Sequence, residues 1–131
     1  MGVRLHYAKV VDREHFLTHG GKIHPGLDNK VVLEAEPGKA AVFLVMRGWG
    51  DDNGTFTEQW RIEGSGGGLV HASVPREIHI ATDSHVERLS DEVADLEFEY
   101  AADDYSLVFV LDELEAARVS FPVELPGAPQ L

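Results

Sequence analysis

Apolar and polar residues alternate at a period of two along much of this chain, the pattern of strands that turn one face to a core and the other to water. Residues 3–11 put Val3, Leu5 and Tyr7 on one side and Arg4 and His6 on the other, which predicts a one-sided strand. Residues 31–36 set Val31, Leu33 and Ala35 against Val32, Glu34 and Glu36, and Pro37-Gly38 then supplies a turn. Residues 40–46 are apolar on both faces, so they read as a central strand covered on both sides, with Phe43 and Val45 in the core. Gly48 and Gly50 around Trp49, followed by Asp51-Asp52-Asn53-Gly54, mark a reversal into residues 55–63, whose Phe56, Trp60 and Ile62 point inward. The glycine-rich run 64–68 reads as a loop leading to strands over 69–74 and 77–81.

Residues 83–93 carry Ser84-His85-Val86-Glu87 in the form of a capping box, with Val86, Leu89 and Val93 at helical spacing, which predicts one short helical segment. Residues 95–100 alternate, with Leu96, Phe98 and Tyr100 inward, and Asp103-Asp104 sits where a hairpin connection is expected. Residues 106–111 return as an apolar strand. Residues 117–123 close the series, with Pro122 belonging at an edge or a bulge because it has no amide donor. Eight or nine short strands with turn signals between them predict an all-β chain, an antiparallel β-sandwich ahead of an open barrel. Residues 1–125 read as one domain and 126–131 as a frayed tail.

The stretch Leu89-Ser90-Asp91-Glu92-Val93-Ala94-Asp95, followed by Phe98 and Tyr100, resembles the Asp-x-Ala-x-Tyr corner of immunoglobulin-like domains. The resemblance spans about ten residues. The tyrosine is displaced and the paired cysteines are absent; what the likeness implies is an immunoglobulin-like topology, and nothing about a ligand.

Composition changes the picture in two ways. The 131 residues are 44% hydrophobic and 26% charged, enough apolar surface for a core. The absence of cysteine removes disulfides, thiolate metal sites and a thiol nucleophile, and fits a reducing, cytoplasmic setting. No apolar run is long enough to span a bilayer, and no export signal precedes residue 11. The net charge of −12 is concentrated in residues 83–115, where twelve carboxylates face only Arg88. That excess argues against nucleic acid and anionic membranes, both of which are gripped by clustered Lys and Arg.

Three constellations could carry chemistry. Glu97, Glu99, Asp103 and Asp104 would form an acidic hairpin able to steer a basic protein partner. Trp49 beside Asp51 and Asp52 combines an aromatic ring with carboxylates, as sites for sugars or cations do. His15, His19 and His24 lie in a long connection, and if Asp12 caps a helical turn ending at Gly20-Gly21, His15 and His19 fall on one face within reach of a divalent metal. No other cofactor is suggested. His71 and His79 fall in strands, where a structural role is the default. No Gly-x-Ser-x-Gly elbow surrounds a serine, and the 64–68 run lacks the Lys-Ser or Lys-Thr of a phosphate loop. The expectation is a non-catalytic domain that binds a protein partner and excludes nucleic acid, with a homo-oligomer compatible. A metal-binding protein or metal-dependent enzyme, and a carbohydrate-binding module, are the alternatives.

Overall fold

The computed structural model describes residues 2–18, 20–21 and 29–125. Among them the elements are β1 (Arg4–Asp12), α1 (Arg13–Thr18), β2 (Val31–Val32), β3 (Gly38–Lys39), β4 (Phe43–Gly50), β5 (Gly54–Glu63), β6 (Leu69–Ala72), β7 (Arg76–Ile80), β8 (Glu87–Val93), β9 (Glu97–Phe98), β10 (Ala102–Leu111) and β11 (Leu114–Glu124). They make a three-stranded sheet in the order β1-β4-β8 and a larger sheet in the order β2-β11-β10-β5-β6, with β7 also on β5. A small ribbon joins β3 to β9. The all-β expectation holds. The purely antiparallel one does not, because β2 runs parallel to β11, pairing Val31 with Val123 and Val32 with Glu124, so the larger sheet is mixed. Val31 and Val123 are both buried there, which is what the parallel pair gains.

Of the apolar segment 40–46, residues 43–46 begin the middle strand of the smaller sheet, with Phe43 and Val45 buried, while Ala40 instead bridges Leu33. The strand continues through Trp49 to Gly50, and the turn after it carries the chain into the other sheet, since β4 and β5 do not pair. The Asp12 carboxylate accepts from the His15 amide at 3.0 Å, capping α1. The amides of Gly20 and Gly21 close the helix on the carbonyls of Leu17 and Phe16, with both glycines at positive φ. That cap and stop are where the sequence put them. Pro122 lies opposite the register shift between Ala102 and Tyr105, the bulge that a residue without an amide donor needs.

Residues 83–93 are not helical. Glu87–Val93 form β8, paired residue by residue with β4. Asp103 and Asp104 fall inside β10, so the connection before it comes earlier, at residues 99–101. Near the start of β10 the buried Tyr105 donates its hydroxyl back to the carbonyl of Tyr100, five residues earlier, at 2.6 Å. Burial, reinforced by Tyr100, pushes the Tyr105 phenol pKa up.

The two larger sheets face each other across a core in which Trp49 meets Phe109 edge to face at 5.9 Å. A buried polar network crosses the same gap. Arg47 of β4 donates through Nε to Glu58 of β5 at 2.9 Å and also bonds it through a second nitrogen. The Trp49 indole N–H donates to Glu58 at 2.6 Å. Arg47 also reaches Asp91 at 3.1 Å, and Asp91 accepts from Trp60 at 2.7 Å and Arg76 at 2.6 Å. Arg47 and Glu58 have essentially no exposed surface, so each depends on the other for charge compensation.

Burial works against the charged form of Asp91, but the Trp60 donor and the Arg47 and Arg76 charges outweigh it and hold its pKa below the ordinary value. Arg61 and Arg118 lower Glu63 in the same direction. A carboxylate with a folded pKa below its unfolded one stabilises the native state above the unfolded value, and that stability is lost as pH falls through the folded one. Stability should therefore drop as pH falls below about 4. Asp91→Asn should be less stable at pH 7 and lose less on acidification, read from denaturant midpoints at pH 7 and pH 3; parallel losses would exclude Asp91 as a source of the acid sensitivity.

Candidate functional site

The outer face of the β1-β4-β8 sheet gathers the chemistry. Along β4, Arg47 and Trp49 point to the core, so Gly48 and Gly50 open on the other side. In β1, Leu5 pairs with Trp49 and Tyr7 with Gly48, which leaves His6 as the extra residue of a bulge. The bulge turns two consecutive ring side chains to the same face. Tyr7 occupies the space above Gly48, where a Cβ would come within 2.5 Å of its ring, and His6 occupies the space above Gly50, where a Cβ would come within 2.8 Å of Nε2. Any larger residue at either glycine would have to displace a ring. The same nitrogen ties His6 down, with Nε2 3.0 Å from Asp51, which sits at φ 72° in the turn after β4.

Beside these rings runs a groove of about 500 Å³ lined by Tyr7, Phe16, Gly21, Met46, Arg88, Leu89 and Ser90. Phe16 enters from α1, so the short helix capped by Asp12 forms one wall. Register places Tyr7, Gly48 and Arg88 in one row across the sheet and Lys9, Met46 and Ser90 in the next. Of the ten Lys and Arg among the described residues, Lys9 and Arg88 alone have no carboxylate within 4.0 Å, and both belong to this face. The nearby acids are engaged: Asp51 with Arg4 and His6, Glu92 with Arg13 at 2.8 Å, and Glu87 with His85 at 3.0 Å.

The sites expected from the sequence fare differently. Trp49 is fully buried with its N–H on Glu58, so it offers no face to a sugar; this corrects its assignment as a ligand platform. Asp51 instead holds His6, and the Asp52 carboxylate bonds the Asn53 amide. Glu97 and Glu99 line a hollow of about 350 Å³ with Tyr100, Tyr105 and the glycine loop, whereas Asp103 lines a separate shallow surface near Val123. His15 lies on α1, and His19 and His24 lie outside the described residues. Among the described residues no three His, Asp or Glu side chains gather as metal ligands. No described helix is long and apolar enough to cross a membrane.

No family model and no curated protein matches the chain. Its fold is similar to part of the alkylpurine DNA glycosylase AlkC of Pseudomonas fluorescens, solved bound to DNA containing an abasic-site analogue. The TM-score is 0.57 at 9% identity, over 93% of this chain and 30% of that one. At that identity the likeness is one of fold, and this chain spans less than a third of the other protein. It nevertheless corrects two expectations. Nucleic acid is not excluded for a fold with such a neighbour, and neither the comparison nor the arrangement of the described residues supports a domain for a protein partner. Charge summed over the chain does not describe any one face, and binding depends on the charges of that face.

Proposed function

We propose that this chain is a nucleic-acid-binding module that grips the sugar–phosphate backbone with the outer face of the β1-β4-β8 sheet. The observation that carries this is the coincidence, on one grooved face, of two ring side chains with Lys9 and Arg88, the cations without an ion-pair partner among the described residues. The fold likeness to a third of a DNA-bound glycosylase supports it. The bond from the Tyr105 hydroxyl to the Tyr100 carbonyl supports in turn an immunoglobulin-like connectivity. Lys9 and Arg88 would neutralise phosphates, with Arg4 and Arg13 able to exchange their surface carboxylates for phosphate at little cost. The acidic corner at residues 97–104 does not forbid this. Val93, the last residue of β8 before those acids in the chain, is five residues and about 17 Å along the strand from Arg88, roughly two Debye lengths at physiological salt.

Fluorescence anisotropy of a labelled 20-nucleotide strand against salt concentration tests the proposal. Binding should weaken linearly on a logarithmic plot, and Lys9→Gln with Arg88→Gln should weaken it and reduce the slope by about 1.4, about 0.7 for each phosphate contact to a single strand. An unchanged slope, or no binding at low salt, would refute it.

A further inference from the structure

We infer that the strand this face accepts is single-stranded, with consecutive unpaired bases stacked on His6 and Tyr7. This rests on the proposed function and adds the class of nucleic acid. The two rings sit over Gly48 and Gly50, two residues apart on β4, so their seats are separated by about 6.8 Å. Nucleotides follow one another every 3.4 Å along a duplex strand, half that spacing. A relaxed stack therefore cannot put consecutive bases on both rings, whereas a stretched single strand can.

Accessibility points the same way. In a duplex the faces of the bases are covered by their neighbours, so a side chain meets edges and phosphates; an unpaired base offers its π face. Tyr7 and His6 lie over Gly48 and Gly50 on this outer face, where their rings can meet a base. The Asp51 carboxylate is the positioning group for His6, held by the turn that follows β4. Across the groove, Phe16 and Met46 supply an apolar wall, with Arg88 and Ser90 at its polar side. A groove of about 500 Å³ is the size of a small-ligand pocket, suited to a base and its sugar and far too small for a double helix.

The experiment compares three labelled probes of equal length on the unaltered protein: a single strand, its blunt duplex, and a strand carrying stable abasic residues at every position. The single strand should bind at least about tenfold tighter than either of the others, as loss of stacked bases at two seats requires. Tyr7→Leu should weaken single-strand binding by about 5- to 150-fold, while Tyr7→Phe, which keeps the ring, should bind like the parent. A duplex or abasic strand bound as tightly as the normal single strand would overturn the inference and leave the phosphate-binding face standing. Binding to none of the three probes would overturn the proposed function itself. The abasic comparison needs no variant, so it decides the matter even if Tyr7→Leu fails to fold.

Discussion

Glu58→Ala is expected to destabilise the protein by about 3–5 kcal/mol, the cost of leaving a buried charge without its partner. Arg47 has no exposed surface, and Glu58 takes two of its guanidinium nitrogens as well as the Trp49 indole N–H. Removing the carboxylate leaves those donors facing a cavity, with Asp91 at 3.1 Å as the remaining counter-charge, itself shared with Arg76 and Trp60. Glu58→Gln should cost less, because its amide oxygen can still accept from Trp49. Replacing both members, Arg47→Met with Glu58→Leu, should recover much of the loss, since an apolar pair of similar volume avoids the desolvation that the ion pair only offsets. The network is thus expected to specify how β4 faces β5 more than to add net stability. Urea unfolding of the set separates these terms; a loss below about 1 kcal/mol for Glu58→Ala would mean that Arg47 finds water or another partner.

Phe43→Ala should cost a similar amount, about 3–5 kcal/mol, for a different reason. The side chain is 1% exposed and begins the central strand of the smaller sheet, between Asp12 of β1 and Val93 of β8. Both flanking strands are fixed to β4 by their ladders, so the surroundings can collapse only partly into the space vacated. The denaturant midpoint should fall with little change in slope, because the surface exposed on unfolding is nearly the same. A loss of less than about 1 kcal/mol would contradict the place of Phe43 in the shared core.

The strands that could be read from the sequence are those whose inward residues are apolar. Residues 40–46, 106–111 and 117–123 declared themselves this way, and α1 declared itself through Asp12 and Gly20-Gly21. β8 hid because two of its inward positions, Glu87 and Asp91, are acids, and the arginines that compensate Asp91 come from β4 and β7. With those positions read as polar, only Val86, Leu89 and Val93 remained, and their spacing suggests a helix. The turn after Gly50 was legible, but the change of sheet it makes was not, because a reversal has the same local chemistry whether or not the two strands pair.

The candidate site was hidden for related reasons. Strict alternation puts His6 and Tyr7 on opposite sides of β1, and a bulge leaves no sequence signal there to say otherwise. Gly48 and Gly50 look like turn residues until the rings above them are seen. Lys9 and Arg88 stand 79 positions apart in the chain and come together only through their separate registers on β4. Summed charge, meanwhile, drew attention to Glu97, Glu99, Asp103 and Asp104, of which Glu97 and Glu99 line one hollow and Asp103 another.

The most direct test of the central claim is to map backbone amide shifts by NMR while titrating an unlabelled single-stranded oligonucleotide into isotope-labelled protein. Shifts should concentrate at His6, Tyr7, Lys9, Met46, Gly48, Gly50, Arg88 and Ser90, fade as salt is raised, and leave residues 97–104 unmoved. Shifts confined to the 97–104 corner, or none at low salt, would contradict a nucleic-acid-binding face on the β1-β4-β8 sheet.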